Sequence, residues 1–122
     1  MKDFRDLRVW EKAHSLTLEL YKATALFPRH ELYGLTSQIR RASASIGANI
    51  AEGCGKRGNS EFQRYLQIAS GSASELDYHL LLSHDLNFLP DEDYRSIARD
   101  LSELRRMLTS LLLKVASERA NG

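Results

Sequence analysis

The sequence has few of the residues that cross-link or interrupt a chain. Cysteine occurs once in 122 residues, at Cys54, which excludes a disulfide framework and a cysteine-based zinc site. No apolar stretch approaches the roughly 18 residues of a membrane span, and the N-terminus carries no apolar signal core. With 17 basic and 16 acidic residues, the whole chain is not a basic nucleic-acid coat. Composition therefore predicts a soluble intracellular protein with no membrane partner.

Patterns typical of sheets are also scarce, because β-branched residues are few and never alternate with polar residues over a strand length. Pro28, Pro90 and two groups of glycines divide the chain into four segments. Apolar residues recur every three or four positions in each, which predicts helices over 6–27, 35–53, 59–87 and 90–117. Short connections favour one all-α domain over 1–122, an antiparallel up-down four-helix bundle.

The predicted core follows the apolar seams of these helices. Their principal members are Val9, Ala13, Leu16, Leu20, Ala23 and Phe27; Ile39, Ala42, Ser43, Ile46, Asn49 and Ile50; Phe62, Leu66, Ala69, Ala73, Leu76 and Leu80; and Tyr94, Ile97, Leu101, Leu104, Leu108, Leu111 and Val115. The second helix is rich in Ala, Ser and Gly, which predicts a close approach to its neighbours. Close packing is expected to offset the roughly 1 kcal/mol that Gly47 costs in helix propensity.

Local signals refine the predicted helix ends. Asp6 is the predicted N-cap of the first helix, and Gly53 the C′ residue of the second. Asn59 or Ser60 is expected to cap the third helix, and Pro90 to occupy the first turn of the fourth.

Two leucine runs, 80–82 and 111–113, are apolar on every side of their helices. A bundle helix has one inner face, so these runs favour a second buried face at a subunit interface. The alternative is that one leucine of each run is simply exposed.

Charge is unevenly distributed along the chain. Residues 29–64 hold six basic and three acidic side chains, whereas 65–104 hold two basic and eight acidic ones. Such asymmetry suits a polyanion at one end, or head-to-tail docking of subunits. Within the basic part, the turn 53–59 combines three glycines with Lys56 and Arg57 ahead of a helix. It suits a phosphate, although a flexible turn with solvated charges is an equal alternative.

No convincing catalytic set is present. Glu11 and His14 form a single Glu-x-x-His, whereas a di-iron bundle needs two such pairs and two further carboxylates. Cys54 lacks an obvious paired histidine. We therefore expect no enzyme activity, no cofactor and no metal.

Several ordered motifs resemble one protein family. The segment DLRVWEKA at 6–13 is similar to its DLxVWxxA start, and FPRHELYGL at 27–35 to its FPxxExYGL. The segment QIRRASASIGANIAEG at 38–53 is similar to QxRRAxxSIxxNIAEG. The chain thus resembles the four helix bundle protein family, also called the 23S ribosomal RNA intervening-sequence proteins, motif by motif over roughly 4–89.

The resemblance implies a bacterial bundle that assembles into a ring-like homopentamer, with a poorly established function. A related accessory protein of diversity-generating retroelements forms a similar pentamer and partners a reverse transcriptase and nucleic acid. We predict a cytoplasmic, non-catalytic protein that binds structured RNA, or DNA, through a basic surface. The predicted phosphate contacts are Arg40, Arg41, Lys56, Arg57 and Arg64.

The alternative function is a protein-interaction scaffold, or an accessory subunit of a nucleic-acid enzyme such as a reverse transcriptase. Arg40 and Glu52 are then expected to form ion pairs between subunits. Asn49 and Glu52 are expected to be buried on the thin second helix, where they cap a neighbouring helix or line a site.

Overall fold

Four long helices account for most of the chain in the computed structural model, which describes residues 3–121. They are α1 (Arg8–Thr24), α2 (Leu35–Cys54), α3 (Gly58–Asp85) and α4 (Asp91–Asn121). Single 3-10 turns, Phe4–Asp6 and Arg29–Glu31, lie ahead of α1 and α2. Residues 3–121 contain no strand, so the all-α prediction is confirmed.

The N-terminal helix ends differ from the local predictions. Asp6 lies inside the first 3-10 turn, which Asp3 caps by accepting a hydrogen bond from the Arg5 amide at 2.9 Å. The N-cap of α1 is instead Leu7, without a side-chain cap. Packing of the turn against α1 and α2 places the start of α1 after it, so the prediction of an Asp6 cap was wrong.

The α2–α3 connection is shorter than predicted. Gly53 is still helical, and α2 continues to Cys54 with Gly55 as its C-cap. α3 begins at Gly58, whose φ of +80° lies in the left-handed region that favours glycine. Asn59 and Ser60 therefore lie inside the first turn of α3 and do not cap it.

At the other helix ends, nearby residues form backbone hydrogen bonds with one another. α1 ends at Thr24 and tightens there, since the Phe27 amide donates to the Thr24 carbonyl at 3.1 Å. α3 ends in a Schellman motif, with Asn87 at φ 66° and the Phe88 amide donating to the Ser83 carbonyl at 2.9 Å. Pro90 stands immediately before α4, and its carbonyl accepts from the Tyr94 amide.

The buried side chains follow the predicted seams. Most seam members are buried, including every one in α3, while Ala23, Asn49, Tyr94 and Leu111 are half-buried. Of the leucine runs, Leu80 is buried and Leu82 half-buried, whereas Leu81 is 43% exposed. In the second run Leu113 is exposed. Each run thus leaves a leucine outside the core.

Residue pairs between α1 and α2, and between α3 and α4, run in opposite numerical order. Thr17 contacts Ser43, and Thr24 contacts Arg40, between α1 and α2. Between α2 and α3, which share the most extensive contact, the Ser45 and Ser72 hydroxyls are 2.9 Å apart. Between α3 and α4 the corresponding pairs are Asn59 with Glu118 and Asp77 with Arg105.

The contact between α1 and α4 is the smallest and the most charged of the four. Lys12 Nζ lies 3.3 Å from carboxylate oxygens of both Asp100 and Glu103. Burial lowers the pKa of Lys12, but hydrogen bonds to these two carboxylates outweigh it and leave the pKa raised. Burial, together with Asp100, raises the pKa of the half-buried Glu19 carboxyl.

Candidate nucleic-acid interface

The α2–α3 turn places two cations beside one aromatic ring. Lys56 Nζ lies 5.7 Å from the centre of the Tyr65 ring, and Arg64 Cζ lies 4.6 Å from it. The turn holds Lys56 next to α3, and α3 presents Tyr65 and Arg64 in its second turn. We call Lys56, Arg57, Arg64 and Tyr65 the turn cluster. It combines charge with a flat ring, as surfaces that bind single-stranded nucleic acid do.

Two of the three cations in the turn cluster have acidic partners. Glu52 lies 4.0 Å from Lys56, and Glu61 accepts from Arg64 at 3.2 Å. The hydrogen bond from Arg64 to Glu61 raises the pKa of Arg64, which therefore stays protonated. Arg57 is exposed and pairs with no carboxylate among residues 3–121. The three cations and these two carboxylates together leave a net charge of +1.

Gly53 sets how closely α2 approaches α3 beneath this cluster. A Cβ at Gly53 would lie 2.9 Å from both Phe62 Cδ1 and Tyr65 Cβ. Gly53 therefore permits a closer approach than a residue with a Cβ would, and this close contact includes Tyr65. Gly47 is less demanding, because a Cβ there would meet Trp10 Nε1 at an ordinary 3.5 Å. The close packing that was expected to offset the cost of Gly47 is therefore an ordinary van der Waals contact, which alanine would also allow.

Arg40 and Arg41 diverge although they are adjacent in sequence. Arg40 faces α1, where its Nε donates to Thr24 Oγ1 at 2.9 Å. Arg41 faces α3 and is 71% exposed, with Nη2 lying 3.8 Å from Glu75 Oε2. Consecutive helical residues point about 100° apart, and the two guanidinium groups accordingly lie against different neighbouring helices. The structure brings together Lys56, Arg57 and Arg64 and places Arg40 and Arg41 elsewhere along α2.

Asn49 and Glu52 are not a buried pair. Asn49 is half-buried and donates to the Ser45 carbonyl of its own helix at 2.8 Å. Glu52 has a side chain that is 57% exposed. One turn nearer the end of α2, Glu52 faces solvent and Lys56, so the expectation of two buried side chains was wrong.

α4 adds basic residues that the sequence analysis missed. Lys114 and Lys56 line one cavity of about 200 Å³, together with Asn59 and Glu118. Arg119 donates to the Gln63 side chain at 2.7 Å. Short connections between helices bring the last turns of α4 to the α2–α3 turn, and this order was the signal that could have found them.

The described residues hold no cluster of three His, Cys, Asp or Glu side chains able to bind a metal ion. In the single Glu-x-x-His motif, the His14 ring stacks on Trp10 with ring centres 4.8 Å apart. Cys54 is buried at the end of α2. Over residues 3–121, no helix combines the length and apolar character needed to cross a membrane.

Fold and site together define an all-helical protein of four packed helices that carries a basic turn. A family model described as 23S rRNA-intervening sequence protein matches residues 5–110, so the chain belongs to that family. A solved structure from Bacteroides thetaiotaomicron, a protein of unknown function from the S23 ribosomal protein family, is also similar. It is 29% identical with a TM-score of 0.77, over 85% of this chain and 97% of that one. The search of curated proteins found no match.

Proposed function

We propose that this chain is a non-catalytic, cytoplasmic protein that forms a homo-oligomeric ring and binds structured RNA through the turn cluster. The observation that carries the proposal is the Tyr65 ring flanked by Lys56 and Arg64, with the exposed Arg57 next to Lys56 in the turn. Sequence-tolerant RNA contacts combine phosphate-binding cations with aromatic or guanidinium planes on which unpaired bases stack. The family name supports RNA as the first ligand to test.

The ring is part of the proposal because a single turn cluster is weak. Repeating one site around a ring multiplies affinity without new contacts, since later contacts become intramolecular. We infer an antiparallel up-down bundle from the opposite order of the contacting pairs, and a pentamer from the family resemblance. Exposed apolar side chains such as Leu18, Tyr78, Leu81 and Leu113 are available for subunit contacts.

The test is fluorescence anisotropy of a labelled RNA stem-loop with nuclease-treated protein across a salt titration. The double variant Lys56→Gln/Arg57→Gln removes two charges from a solvated turn and no core contact. We expect about tenfold weaker binding and a slope of log affinity against log salt that is smaller by about 1.5. These contacts position the RNA and do not specify it, so sequence preference is expected to be weak.

The matched control is Arg95→Gln/Arg99→Gln, which removes two charges from the acidic α4 surface. Arg95 already pairs with Asp91 at 2.9 Å, and both arginines lie in the first half of α4, whereas Lys114 in its second half lines the cavity beside Lys56. The control is expected to bind RNA as the parent does. Equal loss in both double variants would reduce the effect to overall charge and refute the assignment of the turn cluster.

A protein-interaction scaffold is the second candidate, favoured by the acidic start of α4. Asp91, Glu92 and Asp93 occupy its first turn, close to the exposed Leu86. Such a surface suits a basic partner, as an enzyme acting on nucleic acid would be. Absence of RNA binding at low salt, together with a protein that co-purifies stoichiometrically, would favour this function over the first.

A further inference from the structure

A second basic site lies at the corner where α1 turns into α2. A cavity of about 130 Å³ is lined there by Arg29, Arg40, Thr24, Thr36 and an apolar wall that includes Phe27. The lining contains two guanidinium groups and, among the described residues, no carboxylate. Arg40 precedes Lys56 by sixteen residues, which is roughly 24 Å along a helix at about 1.5 Å per residue. The corner is therefore separate from the turn cluster.

Arg40 is held in place before any ligand arrives. Its Nε donates to Thr24 Oγ1 at 2.9 Å, and its Nη2 donates to the Tyr21 carbonyl at 3.1 Å. The guanidinium carbon lies 4.6 Å from the centre of the Tyr21 ring. Thr24 is only 3% exposed and its hydroxyl donates to the Leu20 carbonyl at 2.7 Å. A guanidinium fixed in this way loses little rotamer entropy when its remaining donors bind an anion.

Arg29 and Thr36 provide side-chain donors that have no partner within residues 3–121. Arg29 follows Pro28 in an exposed turn and forms no ion pair with another described residue. Thr36 lies in the first turn of α2 and is 3% exposed, and its hydroxyl makes no hydrogen bond within residues 3–121. Glu31, two residues after Arg29, lies outside the lining and accepts from the Leu35 amide at 3.0 Å. The Arg29 guanidinium, the remaining donors of Arg40 and the Thr36 hydroxyl are thus available for an oxyanion.

The size of the cavity limits the ligand. Sites for organic ligands occupy about 300–1,000 Å³, so a cavity of about 130 Å³ favours a small anion over a nucleoside. A single tetrahedral anion fits, and two guanidinium groups with one hydroxyl match the several acceptor oxygens of phosphate. We propose that this corner binds one phosphate group, either free inorganic phosphate or the terminal phosphate of a nucleic acid. The site does not depend on RNA binding by the turn cluster.

The test is a titration of the full chain with inorganic phosphate in a phosphate-free buffer of low ionic strength, followed by amide chemical shifts. We expect saturable binding with a Kd of about 1 mM and shifts confined to the end of α1 and the start of α2. Arg29→Gln, in an exposed turn, is expected to weaken binding about tenfold. Thr36→Val, which keeps the side-chain shape, is expected to weaken it about fivefold. The control Arg95→Gln is expected to leave the affinity unchanged.

Two competition arms distinguish the sources of the phosphate. A short oligonucleotide with a terminal phosphate displaces inorganic phosphate if the corner holds a nucleic-acid end, whereas the same oligonucleotide with a terminal hydroxyl does not. If neither competes, the ligand is free phosphate and the site stands. Lys56→Gln/Arg57→Gln is expected to leave phosphate binding at the corner unchanged. The proposal for the corner and the proposal for the turn cluster can therefore be refuted independently. Absence of saturation up to about 50 mM phosphate, or equal weakening by Arg95→Gln, would overturn the proposal.

Discussion

Substitution of single glycines by alanine tests the close approach of α2 to α3 beneath the turn cluster. At Gly53, a new Cβ would lie 2.9 Å from Phe62 Cδ1 and from Tyr65 Cβ. Tyr65 Cβ is fixed to the backbone of α3 and the Phe62 ring is buried, so neither can move aside without shifting a helix. Overpacking of this kind costs about 1–3 kcal/mol, while alanine gains about 1 kcal/mol in helix propensity. We therefore expect Gly53→Ala to destabilise the fold by about 1 kcal/mol.

Gly71 provides the matched comparison in the middle of α3. Nothing lies within 4 Å of a Cβ built there, so Gly71→Ala is expected to stabilise the protein by about 1 kcal/mol. The two variants then differ by about 2 kcal/mol, or about 8 °C in Tm for a domain of this size. Urea unfolding followed by circular dichroism at one protein concentration measures the difference. If Gly53→Ala proves as stable as Gly71→Ala, the close approach of α2 to α3 is refuted.

Two further predictions concern acid and assembly. Because burial and Asp100 raise the pKa of Glu19, the folded chain binds this proton more tightly than the unfolded chain. Ionised Glu19 therefore lowers stability at neutral pH, and this penalty disappears as the pH falls through the raised pKa. Glu19→Gln is expected to stabilise the fold at neutral pH but not in acid, and urea unfolding across pH would contradict this if the gain persisted. Leu113 is 67% exposed, so Leu113→Lys is expected to change the free energy of unfolding of the single chain by less than about 0.5 kcal/mol. If Leu113 lies in an interface of the proposed ring, sedimentation velocity will detect dissociation, whereas an unchanged mass places that interface elsewhere.

Helix identity and the seams were predictable because they depend on periodicity within one segment. Every predicted seam residue of α3 is buried, and its spacing of three and four is the pattern of a helix with one inner face. Helix ends were less predictable, since several residues near each end qualify as caps. Asp6 has the chemistry of an N-cap, yet the 3-10 turn docked on α1 places the start of that helix beyond it.

The candidate site was only partly predictable for a different reason. Lys56, Arg57 and Arg64 are close in sequence, and a short turn brings them together in any arrangement of the bundle. Lys114 lies in α4, far along the chain, and reaches the cavity beside Lys56 only through the packing of the helices. The direction of Arg40 depends on how α2 is rotated about its own axis, which its contacts with α1 and α3 set together.

The sequence by itself determined an all-helical chain, its buried faces, its basic turn and the family whose motifs it carries. Those features follow from residues that are neighbours along the chain, where spacing and local charge leave little choice. Only the tertiary structure decided that the packing favours glycine at position 53 and not at position 47. It also decided that Arg40 contacts α1 whereas Arg41 contacts α3. Such outcomes depend on differences of a few tenths of an ångström in the distances between helices. Those distances arise from the packing of many side chains at once.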